Sequence, residues 1–425
     1  MLVGLTRKAA ARIGKMQLME VPSPSRMLEL IAALPAAEPV LSRLHLGLAV
    51  YLVGGAVRDL LRGETPLDLD LVVEGEPLEL ARRLGGHVRS YDRFGTCTVS
   101  LEGAVFDLAQ SRRERYAHPG ALPDVEPAPL AEDLLRRDFT VNTFAVALNG
   151  PSAGSLASVP QAPADLDAGL LRVLHERSFE DDPTRLLRLA RYAARLGFEP
   201  SRDTAELAEA AVSAGALGTL SGDRVGNELR LLTRERDPVE AFVWLGELGL
   251  DAAMVPRFGL RDPALARRAL ELLPAGGRAD LLVTGVAGMG VPERELGRLL
   301  DWLAFQAPDR KVVIAAATGA AELARALRGA GRPADIAAAV GRMPMEAVAL
   351  AGALGACEQA RAWLERLRHV RLEISGDDLL ATGLDPGPAL GRGLRAALAA
   401  KLDGAVAGRE DELRVALAAA RDALG

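Results

Sequence analysis

At 425 residues the chain is longer than one compact core supports, so roughly two to four domains are expected. Apolar residues make up 49% and charged residues 25%, the balance of a soluble globular protein, and no apolar run approaches the ~18–20 residues of a membrane span. A formal charge of −6 excludes an overall basic surface, so any nucleic-acid contact must be a local patch.

The first 26 residues form an N-terminal extension. They carry Arg7, Lys8, Arg12 and Lys15 but no apolar core or cleavage-like site, so they do not read as a secretory signal, and a cytoplasmic location without membrane attachment is expected. Cys97 and Cys357 are too few and too far apart for a disulfide framework or a zinc site. None of His45, His87, His118, His175 and His369 is followed by Asp, which argues against a His-Asp metal phosphohydrolase. Lysine occurs only at 8, 15, 311 and 401, and the remaining cations are arginine. The planar arginine fork suits phosphates and base edges, although a GC-rich genome would give the same bias.

A helix is expected from about Met27, followed by a buried strand at Ala49 to Val53. Gly54-Gly55-Ala56-Val57-Arg58-Asp59 comes directly after that strand. Glycines at a strand end let backbone N–H groups approach a phosphate, and the next helix N-terminus favours anions. Arg58 could add a charge-assisted bond; the plain alternative is a tight turn with a surface arginine.

Leu69 to Val73 is the next expected strand, opened by Asp68-Leu69-Asp70. Strand alternation puts Asp68 and Asp70 on one face and Leu69 in the core. Two adjacent carboxylates repel unless a cation lies between them, and Mg²⁺ takes such hard oxygens together with nucleotide phosphates. Pro77 to Leu84 is expected as a helix, with strands at Thr96 to Leu101 and Ala104 to Leu108. Asp107 on the last of these is a third candidate carboxylate. The N-terminal part is therefore an α/β unit around one sheet.

Arg136-Arg137-Asp138-Phe139-Thr140-Val141-Asn142 follows. Paired arginines can grip a triphosphate, while Asp138 and Asn142 can bond ribose hydroxyls. From about residue 165 helical periodicity replaces the strand signal. In Asp181-Asp182-Pro183-Thr184-Arg185 the proline suits a helix start, with Asp182 as its cap. Arg185, Arg188, Arg191 and Arg195 then form a stripe opposite Leu186, Leu189, Ala190 and Ala193. A fixed carboxylate beside a fixed guanidinium presents an acceptor next to a donor. That pair matches the amino and ring-nitrogen edge of cytosine and adenine and mismatches uracil and guanine. Asp203 to Glu206 reads as a capping box, and Ser221 as the cap of a helix whose Val225, Leu229 and Leu232 share a face. Beyond about residue 235, short Ala/Leu/Arg-rich helices are expected, broken at Pro274 to Gly277, Gly329 to Pro333 and Asp385 to Pro388.

These motifs, in this order, resemble the class II tRNA nucleotidyltransferases and bacterial poly(A) polymerases of the polymerase-β nucleotidyltransferase superfamily. Gly54-Gly55…Arg58-Asp59, Asp68…Asp70, Arg136-Arg137-Asp138…Asn142 and Asp182…Arg185 carry the resemblance, and Ser221…Arg224…Glu228-Leu229 and Gly376 to Leu380 extend it. The resemblance implies an α+β fold, with a nucleotidyltransferase head on a mixed sheet (27–150) followed by an all-α neck (151–235), body (236–330) and tail (331–425). It implies that catalytic Asp68 and Asp70 bind Mg²⁺; Asp107, from its place on the nearby strand, is the third catalytic candidate. Gly55, Arg58 and Arg137 would contact the triphosphate and Asp138 the ribose, with Gly54, Arg136 and Asn142 added as nucleotide-binding candidates by the residue reading above. Asp182 and Arg185 would read the base, with Arg188 and Arg191 supporting the nucleotide. The implied reaction is attack of the 3′-OH of a tRNA on the α-phosphate of CTP or ATP, releasing pyrophosphate, with no protein partner required. A poly(A) polymerase acting on mRNA is the alternative within the class, and a non-catalytic RNA-binding relative the alternative outside it.

One departure bears on how much is added. Family members that build the whole CCA end carry a flexible loop with a basic residue before the Arg-Arg-Asp motif. Ala117 to Leu135 here has no Lys or Arg and is rich in proline and acid. The expectation drawn is partial addition, CC ahead of A alone, within the broader label of CCA addition.

Overall fold

The computed structural model describes residues 21–422 apart from 45–46, 67 and 92–93. The expected N-terminal extension thus lies almost entirely outside the described residues. The chain divides into two compact units, Met1–Leu220 and Ser221–Gly425, with the boundary inside the expected neck segment.

In the first unit, α1 (Pro24–Ala32) and α2 (Glu38–Leu41) precede β1 (Val50–Val53), α3 (Gly55–Leu61), β2 (Asp70–Val73) and α4 (Pro77–Leu84). The strands β3 (His87–Tyr91), β4 (Thr96–Leu101) and β5 (Ala104–Gln110) follow. Next come β6 (Arg112–Arg115), β7 (Asp124–Pro127), α5 (Leu130–Leu135), β8 (Ala145–Ala147) and β9 (Leu156–Ala157). Seven of these strands form one sheet in the order β3-β4-β5-β2-β1-β8-β9. Only β2 and β5 pair in parallel; the other neighbours are antiparallel, so the sheet is mixed as expected. Leu130 and Leu134 of α5 pack on Val53, Val72 and Ala145, which fixes that helix against the sheet centre.

Alternation along β2 does what the pattern requires. Leu69 and Leu71 are buried, and Asp68 and Asp70 face outward. The strands expected at Thr96 to Leu101 and Ala104 to Leu108 and the helix at Pro77 to Leu84 are present.

The proline-rich, acidic segment Ala117 to Leu135, read as a loop, carries regular structure. Its Asp124–Pro127 stretch pairs antiparallel with Arg112–Arg115 as a two-stranded ribbon, and Leu130–Leu135 is helical. Arg113 bridges to Glu126 and Glu132, so cations do reach this acidic segment, from the facing strand. The sequence reading missed them because it began at Ala117.

The rest of the unit is mainly helical: α6 (Ala162–Ala168), α7 (Ser178–Asp181), α8 (Thr184–Leu196) and α9 (Arg202–Ser213). On α8, Leu186, Leu189, Ala190 and Ala193 are fully buried, as their spacing demands. The expected capping box is displaced: the cap of α9 is Ser201, whose side chain accepts from the Thr204 N–H, and Asp203 lies inside the first turn.

In the second unit the described residues hold helices and no strand, from α10 (Gly222–Leu232) to Arg409–Arg421. Ser221 stands at the cap position of α10 without a side-chain cap bond, while Val225, Leu229 and Leu232 are buried together. Asp-Pro pairs start two further helices: Asp237 accepts from the Glu240 N–H and Asp262 from the Leu265 N–H. Ile374, Leu379, Ala397 and Ala416 form a core among the last helices. Among the described residues no single helix is long and apolar enough to cross a membrane.

Candidate active site

A cleft of about 390 Å³ opens over the C-terminal end of β1 and the start of β2 in the first unit. Its floor begins at the β1–α3 turn. Gly54 adopts φ +70°, and its N–H donates to the Phe144 carbonyl at 2.8 Å. A Cβ at Gly54 would stand 2.9 Å from Arg137 Nη1, so both the backbone and the neighbouring guanidinium require glycine.

β2 and β5 run parallel with Asp70 in register with Asp107. Asp107 Oδ1 accepts from the Thr98 hydroxyl at 2.7 Å. Desolvation at the cleft floor raises the Asp70 carboxyl above its ordinary range, and the Asp107 and Asp68 charges push the same way. This is an excess of negative oxygens that a divalent cation would relieve. Among the described residues no three His, Cys, Asp or Glu side chains form a metal cage on their own. Mg²⁺ characteristically binds one or two carboxylates and completes its shell with phosphates and water, so this donor set fits it.

The arginine motif is organised by Asp133, which the sequence reading overlooked. Asp133 is fully buried at the end of α5, three and four residues before the arginines, where one helical turn brings them together. Its Oδ1 accepts from Arg136 Nε and Nη2 at 2.9 and 2.7 Å, and its Oδ2 from Arg137 Nη2 at 3.0 Å. Arg136 also donates to Glu114 Oε1 at 2.8 Å. Arg137 Nη1 donates to the Asn142 carbonyl at 3.3 Å, but its Nε is buried with no hydrogen-bond partner. Both arginines line the cleft.

Arg58 does not line the cleft. It is 1% exposed, pairs with Asp59 at 2.7 Å, donates to Asn142 Oδ1 at 2.5 Å and lies 5.6 Å over the Tyr192 ring. Asn142 in turn donates to Asp138 Oδ1 at 2.9 Å. Asp138 Oδ2 takes both Nε and Nη2 of Arg188, at 2.8 and 2.6 Å. Burial alone would raise the Asp138 carboxyl, but the Arg188 charge and the Asn142 and Arg188 hydrogen bonds outweigh it and hold the group far below the carboxylate range. Arg191 is buried, also outside the cleft lining, with its guanidinium 4.8 Å over Tyr192. Arg58, Asp138, Asn142, Arg188 and Tyr192 are thus one interlocked support.

At the other end of the cleft, Asp182 Oδ1 caps α8 by accepting from the Thr184 N–H at 3.1 Å and its hydroxyl at 2.6 Å. Arg185, 4% exposed, donates to Ser178 Oγ and to the Arg136 carbonyl, each at 2.7 Å. Both side chains line the cleft beside Tyr116 and Glu114. Of the sequence candidates, Gly54, Gly55, Asp70, Asp107, Arg136, Arg137, Asp138, Asn142, Asp182, Arg185 and Arg188 meet there. Asp68 stands exposed next to them, near enough for its charge to act on Asp70.

A glycine turn, registered strand carboxylates and an arginine pair on one cleft define a nucleotidyltransferase head. A family profile described as the poly A polymerase head domain matches residues 50–172. The A-adding tRNA nucleotidyltransferase of Geobacter sulfurreducens is 36% identical over 403 residues, covering 88% of this chain and 45% of the relative. The CC-adding tRNA nucleotidyltransferase of Deinococcus radiodurans is 33% identical over 375 residues, covering 87% of this chain and 88% of the relative. The solved structure of a CCA-adding enzyme in apo form II superposes with a TM-score of 0.80 at 28% identity, covering 93% of this chain and 98% of that one. The chain belongs to the class II tRNA nucleotidyltransferase and poly(A) polymerase family. It spans less than half the length of the Geobacter relative. Relatives named A-adding match at 36% to 44% identity and those named CC-adding at 33% to 34%. Enzymes of the nucleotidyltransferase class generally use divalent metal ions.

Proposed function

We propose that this chain is a cytoplasmic nucleotidyltransferase that adds A, from ATP, to the 3′ end of tRNA. The observation that carries the reading is the register of Asp70 against Asp107 in the cleft that also holds Arg137 and the Asp182–Arg185 pair. Asp68 and Asp70, with Asp107, would hold Mg²⁺. That ion supplies charge neutralisation of the triphosphate and activation of the attacking hydroxyl. The Gly54-Gly55 turn and the Arg137 guanidinium, which both line the cleft, would receive phosphate oxygens. The bond formed joins the RNA 3′-oxygen to the α-phosphorus; the α–β bridge breaks and pyrophosphate leaves.

The roles read from sequence for four residues shift from contact to positioning. Arg58 and Asn142 bond each other, Arg136 is held by Asp133 and Glu114, and both Asp138 oxygens are taken. We assign them to fixing Arg137, Arg188 and Arg185 rather than to touching phosphate or ribose.

The preference for A over CC rests on the relatives. The lack of Lys and Arg in Ala117 to Leu135 bears on partial against complete addition and does not by itself choose the base. The higher identities to the A-adding proteins outweigh the lean toward CC.

The test incubates the full chain with tRNA transcripts ending at the discriminator base or in CC, with each nucleotide alone and together. One A on the CC-ending transcript, and no growth of the other with CTP, is the expected result. Growth by CC, by CCA or by a long A tract would replace this reading with the CC-adding, CCA-adding or poly(A) alternative respectively.

A further inference from the structure

The base end of the cleft shares its wall with a second cavity. That cavity, an open surface pocket of about 250 Å³, is otherwise lined by Glu132 and Asp181 and by the exposed Arg113, Leu135 and His175. Glu114, Tyr116, Arg136 and Arg185 line both spaces.

Three of these four wall residues are pinned by several bonds. Arg136 is held by Asp133 and Glu114, and Arg185 by Ser178 and the Arg136 carbonyl. Glu114 accepts from Arg112, Arg136 and Tyr116. Tyr116 differs. It lies just past the last paired residues of the ribbon, Arg115 and Asp124, and its hydroxyl donates to Glu114 Oε2 at 2.9 Å. It is also close enough to Asp182 and Arg185 for their charges to act on it. Burial first, then the Glu114 charge, pushes the phenol well above its usual range, so it remains a neutral donor at physiological pH.

We propose that Tyr116 is a specificity residue whose ring closes the base end of the nucleotide cleft against the second cavity, limiting the size of substituent tolerated on the base amino group. The inference rests on the proposed base-reading pair. If Asp182 and Arg185 face the amino edge of the base, a group carried on that nitrogen meets the shared wall next. Arg136 and Arg185 are anchored, so the tyrosine ring is the part of the wall whose removal joins the two spaces without dismantling the site. A truncated side chain leaves a hole of its own shape, here continuous with a cavity already present.

The experiment uses N6-benzyl-ATP, which keeps the ring-nitrogen acceptor and one amino N–H. The full chain is given tRNA ending in CC with ATP or N6-benzyl-ATP, and the ratio of the two kcat/KM values is compared between variants. Tyr116→Gly is expected to raise the ratio in favour of N6-benzyl-ATP by roughly tenfold or more over the unsubstituted chain. Leu135→Trp, added to Tyr116→Gly, is expected to cancel the gain, because Leu135 lines only the second cavity. An unchanged ratio in Tyr116→Gly, or a gain that survives Leu135→Trp, overturns the gate. Tyr116→Ser, compared by calorimetric binding of both nucleotides, repeats the test if the glycine variant does not fold. Failure of the unsubstituted chain to add A would overturn the proposed function instead, and the calorimetric ratio would still decide the gate.

Discussion

Arg137 donates from Nη2 to Asp133 Oδ2 at 3.0 Å while its own Nε stays buried without a hydrogen-bond partner. A buried unpaired donor costs about 1–3 kcal/mol, so this placement of Arg137 is maintained by the bonds its other nitrogens make. Asp133 is what holds the guanidinium, and burial alone would raise its carboxyl. The Arg137 and Arg136 charges outweigh burial and keep it ionised.

Asp133→Asn is therefore expected to do two things. Leaving Arg137 without its counter-charge, and Arg136 with Glu114 alone, lowers stability by about 3 kcal/mol. Freeing Arg137 raises KM for the nucleotide roughly tenfold, since the guanidinium no longer arrives pre-oriented. Urea unfolding and initial rates over a nucleotide series measure both. A variant with unchanged KM would show that Arg137 is oriented by the Asn142 carbonyl alone.

Asp70→Asn separates stability from activity. Burial and the Asp107 charge raise the Asp70 carboxyl, so the folded state holds that proton more tightly than the unfolded chain. The sign follows: this group favours folding at low pH, and the advantage is lost as pH rises from the unfolded value toward the folded one. Above that window the ionised carboxylate opposes folding. In metal-free buffer at pH 7, Asp70→Asn should melt at a higher temperature than the unsubstituted chain, while nucleotide addition falls by roughly a thousandfold or more. Calorimetry and a gel extension assay decide it; near-normal extension would remove Asp70 from the metal site.

What the sequence made legible follows from the range of the interactions. The strand at Thr96 to Leu101, the helix at Pro77 to Leu84 and the buried stripe of α8 are set by local period and end signals, and all three stand where the pattern puts them. The cleft membership of Gly54, Asp70, Asp107, Arg137, Asp182 and Arg185 was legible because each motif is short and self-contained. The ribbon between Arg112 and Pro127 was not. One strand is charged throughout and the other alternates Asp124 and Glu126 with Val125 and Pro127, and the two pair across a gap that no local signal marks. The inward turn of Arg58 depends on Asn142, 84 residues further on, and spacing along the chain carries no trace of that.

The Asp138–Arg188 pair supplies the acid sensitivity. Although burial opposes it, the Arg188 charge depresses the Asp138 carboxyl well below its unfolded value. The stability it contributes is complete above the unfolded pKa of about 3.9 and is lost as pH falls below it toward the folded one. Asp138→Asn removes that linkage. Melting temperatures compared at pH 6 and pH 3 should show the larger acid-induced drop in the unsubstituted chain. An equal drop in both proteins would place the acid-sensitive group elsewhere, with Asp133 the next to examine.

Arg185→Ala tests whether the base is read by the protein. The guanidinium has five N–H donors. Its Nη1 bonds Ser178 Oγ and its Nη2 the Arg136 carbonyl, so the group is anchored from behind while it lines the cleft. Asp182, anchored through Thr184, lines the cleft beside it. Together they offer an acceptor next to a donor, which suits the amino and ring-nitrogen edge of adenine or cytosine. Uracil and guanine would bring a carbonyl to the carboxylate and an N–H to the guanidinium, leaving each group facing its own kind. Removing Arg185 eliminates the second mismatch and keeps the first, so rejection of UTP and GTP relative to ATP should weaken by roughly a hundredfold. In the proposed arrangement the phosphates lie at the far end of the cleft, against Gly54 and Arg137, so KM for ATP should rise far less than selectivity falls. Loss of the anchoring bonds costs about 1–3 kcal/mol of stability, which a melting curve accounts for separately. The decisive measurement is kcat/KM for all four nucleotides on the same tRNA end. Equal loss for all four would mean that Arg185 holds the chain of bonds from Ser178 to Arg136 and takes no part in choosing the base.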